Sequence, residues 1–106
     1  MVGIHPKVDA TSEQIAQFCR KWQIVRFELF GSVLRDDFGP ESDVDVLATF
    51  DPGARWTFRD DMAMQEELAK LLRRPVDIVE RRLVEQSPNW VRRRHILESA
   101  RPVYAA

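Results

Sequence analysis

Apolar positions recur along this chain with two periods, and the switches between them mark its elements. Ile15, Phe18, Cys19 and Trp22 return at helical spacing and give residues 12–22 one apolar face. Thr11-Ser12 ahead of them, with Gln14 following, predicts a helix start closed by a capping box. Residues 24–30, Ile-Val-Arg-Phe-Glu-Leu-Phe, are rich in β-branched and aromatic side chains and stop at Gly31, which predicts a strand. Gly31-Ser32 reads as a turn, Val33 to Asp37 as a short helix, and Phe38 to Ser42 as a loop around its Gly-Pro pair. A second strand is predicted over 43–50, ended by Asp51-Pro52-Gly53.

Residues 57–72 read as a helix with Phe58, Met62, Ala69 and Leu72 on one side and Met64, Leu68 and Leu71 widening the stripe. Pro75 after Arg73-Arg74 stops it, because proline cannot continue a helix. Residues 76–80 predict a third strand. A last helix is expected over 88–100, starting at Pro88 with Trp90, Val91, Ile96 and Leu97 inward, Trp56 and Trp90 being alternatively exposed interface anchors, and Pro102-Val103-Tyr104 reads as an extended tail. This order predicts an α/β fold, a small mixed β-sheet with flanking helices in two or three layers.

The 106 residues fit one domain, expected to span 1–106, with a single core and no deep enclosed cleft. A formal net charge of −1 gives no global pull toward nucleic acid or a membrane surface, and direct nucleic-acid binding is not expected. The charge is unevenly placed. Residues 1–72 carry 8 Lys/Arg against 13 Asp/Glu and residues 73–106 carry 8 against 4, together the chain's 16 and 17. Solvated helix faces account for such runs, and a partner protein of complementary charge is the alternative. Cys19 is the one cysteine, so an intrachain disulfide is excluded and a small core residue is expected. The first residues lack the apolar run of a signal peptide, and no stretch approaches the ~20 apolar residues of a membrane span. The expected location is the cytoplasm.

Candidate chemistry gathers at Gly31-Ser32, Asp43-Val44-Asp45 and Asp77. Strand side chains alternate, so Asp43 and Asp45 share a face while Val44 and Val46 turn to the core. Neighbouring carboxylates repel unless a cation lies between them, and Mg²⁺ is held by one or two carboxylates plus substrate phosphates. Each feature has a plain reading: Asp43 capping a turn, Asp45 at a solvated edge, Asp77 paired with Arg74 or Arg35, Gly-Ser as a turn alone. The spacing argues otherwise. Gly31-Ser32, ten residues, then Asp-x-Asp would match by chance on the order of 10⁻⁵ per starting position, ~10⁻³ over the chain.

With these residues in view, the chain resembles the DNA polymerase β-like nucleotidyltransferase superfamily, and within it the minimal nucleotidyltransferase (MNT) proteins. The resemblance runs through Leu29-Phe30-Gly31-Ser32, Arg35, Ser42-Asp43-Val44-Asp45-Val46-Leu47, the strand Arg74-Pro75-Val76-Asp77-Ile78-Val79 and the closing Ile96 to Tyr104. Asp36 departs from it, where many relatives carry glycine. The resemblance implies that Asp43, Asp45 and Asp77 are catalytic, that they bind two Mg²⁺ ions, and that Asp77 takes the proton of the attacking hydroxyl. It further implies that Gly31 and Ser32 hold the triphosphate of ATP, glycine allowing backbone to approach phosphate. Arg35 would reach the phosphates or pair with an acid.

The implied reaction moves AMP from ATP to an acceptor hydroxyl. The chain carries no acceptor-binding domain, so another subunit would supply the acceptor. MNT proteins resemble it in this, and they are commonly antitoxins paired with HEPN-domain toxins; the implied role is adenylylation of a toxin tyrosine. Two alternatives stand beside it: neutralisation by binding alone, and transfer to a small molecule such as an aminoglycoside, which would need a dimer to build the pocket. Arg92-Arg93-Arg94-His95 fans around its predicted helix and reads as a solvated or partner-facing face, with RNA contact or a nuclease site the weaker alternative.

Overall fold

Thr11 opens the first helix through reciprocal bonds: its hydroxyl accepts from the Gln14 N–H at 3.2 Å, and the Gln14 side chain accepts from the Thr11 N–H at 2.9 Å. The structure is a computed structural model and describes residues 3–5, 8–31 and 42–106. The described elements are β1 (Gly3–His5), β2 (Val8–Thr11), α1 (Ser12–Lys21), β3 (Ile24–Phe30), β4 (Val44–Phe50), α2 (Phe58–Leu72), β5 (Val76–Glu80), α3 (Arg81–Glu85), α4 (Trp90–Ser99) and β6 (Arg101–Ala105). The short helix expected at Val33 to Asp37 lies outside the described residues.

β1 and β2 form an antiparallel pair, and the main sheet has the order β5-β4-β3-β6. Within it β3 runs antiparallel to both β4 and β6, while β4 and β5 are parallel, joined by the α2 crossover. The sheet is mixed. Alternation along β4 sorts its two faces. Val44, Val46 and Ala48 join Phe27 and Leu29 of β3, Ile15, Phe18 and Cys19 of α1, and Met64, Leu68 and Leu72 of α2 in the larger core. Leu47 points the other way, into a smaller cluster with Phe30, Val84 of α3 and Ile96 of α4. Helices therefore cover both faces, in three layers.

Several boundaries and faces differ from the pattern-based expectation. β4 starts at Val44, so Asp43 stands one residue before the strand. α4 starts at Trp90, because the Asn89 side chain caps it by accepting from the Arg92 N–H at 3.2 Å. Phe58 and Met62 are 79% and 59% exposed, not inward. α2 buries the i, i+4, i+8 row Met64, Leu68 and Leu72, and at about 100° per residue Met62 falls nearly opposite Met64. Trp90 and Val91, in the first turn of α4, are likewise exposed, and Ile96 is that helix's one buried residue. The extended tail is the strand β6, paired along β3.

The sheet carries one buried charge. Glu28 is 2% exposed, accepts from Arg81 at 2.6 Å and forms an ion pair with Arg26 at 3.1 Å, fastening the first turn of α3 to β3. On the opposite side Glu67 of α2 accepts from the Trp22 indole at 3.0 Å and pairs with Lys21, tying α2 to α1.

Candidate active site

Asp45 and Asp77 are register partners across the parallel pair β4–β5. Neighbouring strands lie about 4.8 Å apart, so the two carboxylates leave the sheet side by side. Both occupy the second position of their strands, on the face that carries Leu47 and Val79 toward α3 and α4. The Val44 N–H donates to the Pro75 carbonyl at 2.9 Å, holding the two strand starts level. Asp43, immediately upstream, lines the same cleft as Asp45 and Asp77.

Phe30, the last residue of β3, is the partner of Asp45 on the other side. Gly31 follows with φ +76, a left-handed conformation that favours glycine. A β-carbon there would lie 2.2 Å from Oδ2 of Asp45. Glycine is thus favoured at 31 for two physical reasons, backbone conformation and the space taken by the carboxylate. Gly31 lines the cleft with the aspartates. Ser32 and Arg35, the other expected nucleotide-binding residues, lie outside the described residues.

The cleft has a volume of about 570 Å³, and its second wall is α4, through Arg92, His95, Ile96 and Ser99. These positions are i, i+3, i+4 and i+7, one face of the helix. The basic run is therefore divided between tasks. Arg93 donates to the Ser87 carbonyl at 3.0 Å and Arg94 pairs with Glu98 at 3.0 Å, whereas the Arg92 and His95 side chains face the cleft and have no hydrogen bond or ion pair among the described residues. The run is solvated as expected, with Arg92, Arg94 and His95 exposed, and Arg92 and His95 also border the cleft. The i, i+3, i+7 spacing of Arg92, His95 and Ser99 was the available signal for this wall.

The carboxylates suit a hard divalent cation, since Asp45 stands directly beside Asp77 and Asp43 lines the same cleft. Among the described residues, no group of three or more His, Cys, Asp and Glu side chains is close enough to hold a metal ion unaided. Magnesium does not require such a cage, because substrate phosphates and water complete its six oxygens. Asp45 with Asp77 or Asp43 would serve as the protein's share.

A nucleotidyltransferase domain model matches residues 12–103. A structure described as a minimal nucleotidyltransferase is 33% identical over 86% of this chain and 87% of its own, with a TM-score of 0.65. A toxin–antitoxin structure with AMP-PNP has a TM-score of 0.67 at 18% identity, covering 90% of this chain and 73% of that one. A tri-AMPylated HEPN toxin in complex with MNT antitoxin, from Shewanella oneidensis, has a TM-score of 0.59 at 18% identity, covering 90% and 70%. Among the curated proteins none matches. This chain belongs to the nucleotidyltransferase domain family, and its structural neighbours are of the MNT type. It is a nucleotidyltransferase. No helix among the described residues is long and apolar enough to cross a membrane.

Proposed function

We propose that this protein transfers AMP from ATP to a tyrosine hydroxyl of a HEPN-domain toxin and so acts as its antitoxin. The observation that carries the proposal is the register of Asp45 with Asp77, with Asp43 in the same cleft and Gly31 at its edge. The tri-AMPylated HEPN toxin among the structural neighbours supports the acceptor class, and the AMP-PNP complex supports a nucleoside triphosphate donor.

The residues divide the work along the sheet. Gly31 and Ser32, with Arg35 as an alternative contact, hold the triphosphate beside β3. Asp43, Asp45 and Asp77 would hold Mg²⁺ together with the substrate phosphates. Bound Mg²⁺ supplies positive charge against the attacking and leaving oxygens of the transfer. The tyrosine oxygen forms a bond to the α-phosphorus, the bond from that phosphorus to the β-bridging oxygen breaks, and pyrophosphate leaves. Asp77 takes the phenolic proton. The products are AMP-tyrosine and pyrophosphate.

Incubation with α-labelled ATP, Mg²⁺ and a candidate HEPN-domain partner protein tests the proposal. Label is expected on the HEPN protein with wild type and not with Asp43→Asn/Asp45→Asn. Absence of label with wild type would refute transfer. The exposed Trp90 and Val91 favour a second reading, neutralisation by binding alone, and full toxin neutralisation by the doubly substituted protein would establish it.

A further inference from the structure

Three carboxylates and one permanent cation line the same cleft. Asp43, Asp45 and Asp77 belong to its sheet side, and Arg92 enters from α4. Of the three arginines in the α4 run, the other two are committed elsewhere. Arg93 donates to the Ser87 carbonyl at 3.0 Å, and Arg94 pairs with Glu98 at 3.0 Å. The guanidinium of Arg92 is exposed and makes no hydrogen bond or ion pair among the described residues, although it borders a cleft lined by acids. It keeps its charge and all five N–H donors for a ligand that enters. Its place along the helix is also defined. His95 and Ser99 line both the cleft and the hollow that runs from Gly31 to Pro102, whereas Arg92 lines the cleft and the hollow between α3 and α4. The Gly31 turn and Arg92 therefore stand toward opposite ends of the cleft, and the strand order β5-β4-β3 sets Asp45 and Asp77 between them.

We infer that Arg92 is a catalytic residue, its guanidinium binding the non-bridging oxygens of the α-phosphoryl group as that group is transferred. This rests on the nucleotidyl-transfer reading above, which puts the triphosphate at Gly31 and the bond that breaks beside the aspartates. Charge gives the physical reason. Three carboxylates and a triphosphate together carry more negative charge than two magnesium ions neutralise. Arg92 supplies further positive charge from the wall opposite the acids. Its planar fork meets two phosphate oxygens at once, which a lysine ammonium does not. A donor aimed at charge that develops in the transition state is worth about 10²–10³-fold in rate. No bond to Arg92 forms or breaks, and it gives up no proton; it contributes two charge-assisted hydrogen bonds. His95, on the Gly31 side, lies toward the leaving pyrophosphate, and Arg92 toward the group that stays with the acceptor.

The test is phosphorus NMR of AMP-PNP bound with Mg²⁺ to the full chain, where the α-phosphorus gives its own signal. Arg92→Met is expected to shift the bound α-phosphorus signal and to leave the β and γ signals in place. Transfer of labelled AMP to a candidate HEPN-domain partner is expected to fall about 100-fold or more, while AMP-PNP affinity by calorimetry falls less than about tenfold. Arg92→Lys keeps the charge without the fork and is expected to recover part of the rate. Arg94→Met removes an equal charge from the same helix and is expected to behave as wild type. Both positions are exposed, so neither replacement disturbs the core. The inference fails if Arg92→Met leaves the α-phosphorus signal and transfer unchanged, if the β or γ signal moves instead, or if Arg94→Met causes an equal loss. Weakened partner binding with every nucleotide signal unmoved would also overturn it, by making Arg92 a docking residue. A wild-type chain that binds no AMP-PNP refutes the transfer reading and this inference with it. A chain that binds AMP-PNP without labelling the partner refutes the acceptor alone, and the α-phosphorus signal then decides on Arg92.

Discussion

The carboxylate of Asp45 fills the space that any side chain at position 31 would need, so Gly31 and Asp45 are complementary across the β3–β4 pair. Gly31→Ala sets a β-carbon 2.2 Å from Oδ2 and forces a left-handed backbone on alanine. Transfer should fall at least about 100-fold, because a reacting group displaced by an ångström loses about that much. The backbone strain should cost about 1 kcal/mol, read by urea denaturation. Wild-type turnover in Gly31→Ala would show that the carboxylate moves freely.

Asp77 stands level with Asp45 on the neighbouring strand and is exposed to the cleft. Asp77→Asn keeps its shape and removes its capacity to accept a proton. The transfer rate should drop about 10²–10⁴-fold. Binding of AMP-PNP, measured by calorimetry, should change much less.

Glu28 lies buried between β3 and α3 with Arg81 at 2.6 Å. Arg81→Met leaves that carboxylate short of its nearer cation and should cost about 3 kcal/mol. Replacing both residues by methionine should recover most of the loss, since a buried ion pair offsets its own desolvation poorly. Urea midpoints of the single and double variants measure both effects.

Burial pushes the Glu67 carboxyl up, but the hydrogen bonds from Lys21 and Trp22 outweigh it and hold the group below its ordinary value of 4.5. A depressed folded-state value means the contribution is complete above pH 4.5 and is lost as pH falls through the lower folded value. Wild type should therefore exceed Glu67→Gln in thermal stability at neutral pH, and the gap should close in acid. A gap independent of pH would contradict this account.

Cys19 has no exposed surface, and burial pushes its thiol up to about 12. The thiolate is the reactive form. Iodoacetamide at pH 8 should leave the folded protein unmodified and alkylate it in denaturant. Modification of the native chain at comparable rates would show that α1 opens readily.

Much of this architecture could be read from residue patterns, because its elements are those with strong local signals. The capping box at Thr11, the strand over 24–30 and the stop before Pro75 follow from short-range bonding that any tertiary context preserves. Asp43, Asp45 and Asp77 stood out because a charge among strand residues needs a partner. α3 did not, since five residues are too few to show a helical period. Phe58 and Val91 were assigned inward, and Trp90 stayed open between core and interface anchor, because apolarity predicts burial only where another element arrives to cover it.

Local composition, then, dictates where this chain turns, coils and extends, and which side chains carry charge. Packing across the sheet settles the rest. It aligns Asp45 with Asp77 through strand register, swings α4 over the aspartates so that Arg92 and His95 become a wall, and leaves Trp90 in water. Those outcomes depend on contacts between residues tens of positions apart, which no neighbouring stretch of sequence encodes.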